Sequence, residues 1–334
     1  MRTFHRSSLL LLLPILWACE DEEAGGLPFT LTGEGTVELS VFRDDNGNGV
    51  RDGDDPPLGG VRVRLHHWNS VPILAQDTTS SEGVVRFTAP VGTLRLELDP
   101  AVLGDSLEIM APVSAPFLLG ADSSVIRSVG LSFPHVPFQG IRGVTSGRRV
   151  FTTAFVTTPR PSFGDGEVHF QLGTTAIRAT GVERTGVTPG DSVRIVGTAR
   201  IQQGQPTLDS VRVFVLTPQA VQMVPQVVPT GTAASAGGGS LDARLVEVRN
   251  GVVVSAGADP LGFRVVVDDG SGPVTLLLRS YLEVATEPLV PGSTVRAAGT
   301  LVPQGAGSPW RLLPRGAADL TVTPPPVAPT PTAP

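Results

Sequence analysis

Val41-Phe42-Arg43-Asp44-Asp45-Asn46-Gly47-Asn48-Gly49-Val50-Arg51-Asp52-Gly53-Asp54-Asp55 is a polar loop between two runs of alternating apolar and polar residues. Before it, Val37, Leu39 and Val41 recur at every second position; after it, Val61, Val63 and Leu65 do the same. Period two marks a half-buried β-strand, because successive side chains point to opposite faces of a sheet. The loop carries side-chain oxygens at its positions 1, 3, 5, 9 and 12, namely Asp44, Asn46, Asn48, Asp52 and Asp55. Gly49 stands at position 6, where the chain turns sharply, and Val50 at position 7, where the backbone carbonyl is the donor. A hard cation wants six to eight oxygens, and alternate residues of a tight loop supply them, so this spacing predicts a calcium site. Asp55 is shorter than the glutamate usual at position 12, and Asp54 is a second candidate for closing the loop. No helices flank it, so the reading is a calcium loop inside a β-module.

Strands expected over residues 84–87, 94–98 and 125–131 extend this module into a β-sandwich spanning 37–133. The whole chain reads as all-β. It holds 39 Gly and 31 Pro in 334 residues, and no stretch keeps a 3.6-residue apolar period over several turns. Downstream, Pro189-Gly190-Asp191-Ser192-Val193-Arg194 is echoed by Pro291-Gly292-Ser293-Thr294-Val295-Arg296, and Gly197-Thr198 by Gly299-Thr300. A repeat of about 100 residues is a duplicated domain, since solenoid units run ~20 to 50. The expected copies are β-modules over 134–222 and 241–322, joined by a flexible Pro/Gly/Ala linker over 223–240 and followed by a disordered Pro-rich tail over 323–334.

The first 19 residues have the layout of a secretory leader: Arg2 and Arg6, a short apolar core through Leu16, then Trp17, Ala18 and Cys19. The apolar run is about half the ~20 residues of a membrane-spanning helix. Leu16 to Cys19 resemble the lipobox of bacterial lipoproteins, which implies cleavage of residues 1–18 and acylation of Cys19, the single cysteine of the chain. Two or more acyl chains anchor stably where one does not. Residues 19–36 then read as a polar tether. With one cysteine, no disulfide framework is available.

Two further resemblances carry fold information. The loop from Val41 to Asp52 with Pro57-Leu58-Gly59-Gly60-Val61-Arg62-Val63, and the turns Thr78-Thr79-Ser80-Ser81-Glu82-Gly83 and Ala89-Pro90-Val91-Gly92-Thr93-Leu94, resemble the SdrD B-type repeat of bacterial surface proteins. That resemblance implies a prealbumin- or transthyretin-like sandwich stiffened by calcium. Val168-His169-Phe170-Gln171 with Thr175-Ala176-Ile177, and Phe263-Arg264-Val265-Val266-Val267-Asp268-Asp269-Gly270-Ser271-Gly272, resemble the OB-fold modules of bacterial exported proteins, which implies two OB-like barrels. OB barrels bind oligonucleotides or oligosaccharides on one sheet face.

The formal charge of −6 is uneven: residues 33–133 carry 7 arginines against 14 acids, and residues 134–334 carry 16 against 13. Such a faint basic excess is far from a nucleic-acid footprint. All 25 basic residues are arginine, so stiffening by lysine–asparagine isopeptide bonds is excluded. Stacking aromatics beside cations would make a ligand surface. The candidates are Phe263, Arg264, Arg279, Tyr281, Trp310 and Arg311 in the second copy, with Phe170 and Arg178 in the first.

Catalytic patterns are scarce. Gly104-Asp105-Ser106-Leu107 spells a lipase-type nucleophile motif without its downstream Asp-x-x-His pair, and His66 and His67 are adjacent on a strand, so they face opposite ways. Glu167 and His169 share a face and could pair, most simply as a structural contact. The expectation is a non-catalytic envelope lipoprotein, held to the outer membrane or cell surface by its N-terminal lipid. It would use calcium as its cofactor and display β-modules to an extracellular or periplasmic polysaccharide, protein or single-stranded nucleic acid. The alternative is a nucleic-acid-binding accessory of an exported nuclease system.

Overall fold

The computed structural model describes residues 32–53, 55–99, 106–110, 113–158, 167–183, 186–306 and 309–325, with the side chain of Tyr281 set aside. The leader, Cys19, most of the tether, Asp54, Gly104, Asp105 and the end of the tail lie outside the described residues.

Glu34–Arg43 (β1), Arg62–His67 (β2), Ile73–Thr78 (β3), Val84–Pro90 (β4), Gly92–Leu98 (β5), Glu108–Ile109 (β6), Phe117–Leu119 (β7) and Ser124–Ser132 (β8) form two four-stranded sheets, β4-β1-β8-β6 and β3-β2-β5-β7. Every pairing is antiparallel except β1 with β8, which run parallel. The inward residues of the alternating runs, Val37, Leu39 and Val41 against Val63, Leu65, Leu94, Leu96 and Leu98, share one core. The period-two reading is thus the physical basis of a β-sandwich. β3 was not expected: it is an edge strand whose residues are almost all exposed, so it carries no burial pattern.

Arg149–Thr158 (β9), Val168–Leu172 (β10), Thr175–Ala179 (β11), Ser192–Gln202 (β12) and Gln205–Thr217 (β13) close into a barrel. The second copy is built from Gln226–Val227 (β14), the helix Thr230–Ser235 (α1), Leu245–Asp259 (β15), Gly262–Asp268 (β16), Val274–Arg279 (β17), Thr294–Pro303 (β18), Trp310–Leu313 (β19) and Leu320–Thr323 (β20). In the five strands β9–β13, and in β15–β19 of the second copy, the first three form an antiparallel meander and the third runs parallel to the fifth. The fifth pairs with the fourth, and the fourth closes on the first. A five-stranded Greek-key barrel of this kind is the OB architecture.

The echoed Pro-Gly turns have one cause. Gly190 and Gly292 adopt φ of 93° and 88°, a left-handed region open to glycine, and their amides donate to Val156 and Val253 carbonyls at 2.8 and 3.0 Å. Gly299 recurs for a different reason: a Cβ there would collide with the Leu313 carbonyl oxygen, so β18 and β19 approach closely only because the side chain is missing. Gly299→Ala is expected to cost about 1–3 kcal/mol in denaturant unfolding by overpacking. Gly257→Ala, whose Cβ meets nothing within 4 Å, serves as the neutral control. Equal effects at the two positions would refute the close-approach argument.

Residues 223–240 are not a linker. Val228, Ala233, Ala236 and Leu241 are buried in the core of the second barrel, with α1 as its plug. The 3-10 turn Phe138–Gly143, with buried Phe138 and Ile141, does the same for the first barrel. Small residues favour flexible tethers in water, but they also allow the closest packing, and here burial decides. Ala236, Gly237, Gly238 and Gly239 all have positive φ, which turns the chain tightly back from the plug into β15.

Candidate functional site

The loop from Asp44 to Asp55 connects β1 to β2 and is wound by its own side chains. Asp44 accepts from the amides of Gly47 (2.6 Å) and Gly49 (2.9 Å), Asn46 from Asn48 (2.9 Å), and Asn48 from Val50 (2.7 Å). These successive turns bring alternate side chains to one side, where the Asp52 carboxylate accepts from the Asn46 and Asn48 amides at 2.6 and 3.3 Å. Asp55 closes the loop by accepting from the Asp52 amide at 3.2 Å. Asp44 and Asp55 are buried, while the Val50 side chain is 62% exposed. Burial, together with the facing carboxylates of Asp52 and Asp44, raises the Asp55 pKa above the ordinary aspartate value. Among the described residues no three acid, histidine or cysteine side chains gather as a metal cluster. The residues expected from the sequence as ligands are carboxylates, two asparagine amides and a backbone carbonyl, and hard oxygens of these kinds are what calcium takes.

The loop is also one wall of a module joint. Arg194, on β12 of the first barrel, donates to the Asp45 carbonyl (2.9 Å) and to Ser132 Oγ (2.6 Å), and its guanidinium lies 3.6 Å from the Phe151 ring centroid. The side chain of Asp45 takes two 3.0 Å bonds from Arg43 and pairs with Arg212 of β13. Around them Phe133, Phe151 and Val196 form a separate apolar cluster between sandwich and barrel. Gly47 leaves room for the Arg194 guanidinium, which a Cβ would strike. Nothing in Val193-Arg194-Ile195-Val196 distinguishes this arginine from a surface residue.

A second joint ties the barrels together. Thr158 and Thr300 share a 2.8 Å hydroxyl bond, Gln171 accepts from the Leu245 amide (3.2 Å), and Arg142 pairs with Asp242 at 3.0 Å. Leu245, Leu277, Val302 and Leu313 point away from the second barrel's core yet are buried. The cover falls on the outer β10–β11 face of the first barrel. His169 and Glu167, 3.5 Å apart, lie in it beside Arg178, with Arg279 and Arg311 approaching from the second barrel. Burial, then Arg178, lowers the His169 pKa to about 3, and burial raises that of Glu167 against the three arginines. Burial is the main cause of both shifts, and it disfavours the charged form of each group.

The six residues expected as a ligand surface are not brought onto one face. Phe263 and Trp310 pack against the barrel core, and Trp310 donates its indole N–H to Asp242 at 2.9 Å. Arg279 and Arg311 lie toward the barrel joint, and only Arg264 is exposed; the side chain of Tyr281 lies outside the described set. In the first copy Phe170 is fully buried, apart from Arg178 on the opposite face of the sheet. Period two explains the split: on β16 and β19 the aromatic and the arginine are adjacent in sequence, so they face opposite ways. His66 and His67 differ likewise, His66 being buried and His67 partly exposed. Ser106 sits exposed in a short turn before β6.

No protein-family model matches the chain, and no curated protein matches it in sequence. Solved structures with some likeness include the Ifi202 HINa domain in complex with double-stranded DNA (14% identity, 54% of this chain and 98% of that one, TM-score 0.27). A murine DNA-binding protein bound to double-stranded DNA is similar at 12% identity, with 52% and 97% covered and a TM-score of 0.30. The Bacillus anthracis TIE protein is similar at 11%, with 56% and 32% covered and a TM-score of 0.25. At such TM-scores the fold assignment rests on the strand pairings described above.

Proposed function

We propose that the chain is a non-catalytic envelope lipoprotein, anchored through acylated Cys19, whose prealbumin-like sandwich binds calcium and holds two OB-like barrels at a fixed attitude for display to an extracellular or periplasmic ligand. The observation that carries this reading is the loop at residues 44–55. Its turns are wound on Asp44, Asn46 and Asn48, Asp52 takes the amides of both asparagines, Asp55 closes the loop on the Asp52 amide, and the loop's second residue, Asp45, is gripped by the first barrel. Calcium there would neutralise facing carboxylates and fix the backbone on which Arg194 docks. Strand binding by the barrels is less favoured, because the outer β10–β11 face is covered and the aromatics turn inward.

The test is thermal unfolding of the mature chain in calcium and in chelator. With extracellular-type affinity of ~10⁻⁴ to 10⁻³ M, 10 mM calcium should add about 1–3 kcal/mol and raise Tm by several degrees. Asp44→Ala should remove the difference, and an unchanged wild-type melt would refute the calcium assignment. Anchoring is tested by mass spectrometry: a diacylglyceryl adduct is expected on Cys19, and Cys19→Ser should release the protein from membranes.

A further inference from the structure

A cleft of about 580 Å³ opens between the sandwich and the first barrel, with Arg43, Arg149 and Arg212 on its wall beside Pro56 and Phe214. Arg43 and Arg212 share the buried Asp45 carboxylate. Arg149 has no such partner: among the described residues it pairs with no carboxylate, and its guanidinium donates only to Thr198 Oγ1 and the Ser210 carbonyl, both at 3.2 Å. Its guanidinium carbon lies 5.1 Å from the Phe133 ring centroid, and Arg43 lies 5.5 Å from the same centroid. Burial, Arg43 and Arg212 depress its pKa, while Asp45 and Glu183 oppose them. Glu183 lines the cleft and Glu108 lines the adjoining cavity of about 690 Å³, which Arg149 also borders, yet among the described residues neither acid forms an ion pair. A half-buried guanidinium crowded by two cations is costly unless an anion completes it, and a guanidinium fork fits an oxyanion in two-point contact.

We propose that this cleft binds a ligand carrying a phosphate or carboxylate group, the oxyanion held by Arg149 with Arg43 and Arg212, and the body of the ligand resting on Phe214 and Pro56. The site goes beyond the anchoring and calcium reading and stands without it.

The test is calorimetric titration of the mature chain at low salt with two probes, inorganic pyrophosphate for a phosphate source and citrate for a carboxylate source, in calcium-free buffer. Binding of at least one probe is expected, weakened about 10-fold by Arg149→Gln and less by Arg149→Lys, which keeps the charge and loses the fork. Arg264→Gln, on the second barrel, should bind as wild type does. Thermal shift of the unmodified chain at fixed ionic strength covers the case in which Arg149→Gln fails to fold, since a rise in Tm with the binding probe over chloride is expected. No heat and no shift with either probe, equal binding by Arg149→Gln, or equal loss in Arg264→Gln would overturn the proposal. A calcium-independent melt, by contrast, would overturn only the metal assignment.

Discussion

Arg194→Ala is expected to destabilise the protein by about 3 kcal/mol and to split its unfolding into two transitions. The side chain is buried and donates to Asp45 and Ser132 across the first joint while lying over the Phe151 ring. Hydrogen bonds from a charged donor contribute ~1.5–3 kcal/mol each, and a desolvated cation–π contact about 2. These contributions overlap, so the whole falls well short of their sum. Asp44 and Asp45 would also lose the positive charge that faces them. Because the contacts cross a module boundary, the loss falls on coupling: the sandwich should unfold at lower denaturant than the barrels, where one transition is expected of the wild type. Urea unfolding followed separately by tryptophan fluorescence and far-UV circular dichroism checks this. Coincident curves with an unchanged midpoint would show that the joint contributes nothing.

Acid is expected to weaken the barrel joint through His169. Its folded pKa is lowered to about 3, while the unfolded histidine titrates near its ordinary value of about 6.5. Between those values the unfolded chain binds a proton that the folded chain refuses. Stability is therefore full above the unfolded pKa and falls as pH drops below it, by about 1.4 kcal/mol per pH unit. Glu167 acts in the opposite sense: its raised pKa lets the folded state take up a proton first as pH falls, which offsets the histidine at the acid end. The loss due to His169 should begin as pH falls through about 6.5. Unfolding free energies of the wild type and His169→Gln, measured in steps from pH 7.5 to 4.5, test the assignment. Parallel curves for the two proteins would mean that His169 is not the group responsible. Arg178, Arg279 and Arg311 are the cations facing the pair.

The sandwich was legible in the sequence because its inward residues alternate, and the duplication because a positive φ at the Pro-Gly turn admits little but glycine. What escaped reading shares a cause: it depends on what covers a face, which no local pattern records. The Ala- and Gly-rich stretch before β15 has the composition of a tether and the burial of a plug. The barrel joint did leave a trace. Leu276-Leu277-Leu278 and Leu312-Leu313 are continuous apolar runs where a strand with one wet face would alternate, and such runs mark strands buried on both sides. The loop at residues 44–55 was readable as an oxygen donor set, but its grip on the barrel was not, because Arg194 lies about 150 residues away among ordinary strand residues.

The parallel pairing of β1 with β8 has a mechanical meaning. Eight residue pairs, from Thr36 with Ser124 to Arg43 with Leu131, bind the strand that enters the sandwich to the strand that leaves it toward the barrels. A pull applied between residue 34 and residue 132 runs along both strands in opposite directions, so it shears the whole ladder at once. An antiparallel hairpin pulled from its open end would instead peel bond by bond. The sandwich is therefore built as a clamp against stretching, strongest along the line from its N-terminal strand to the barrels.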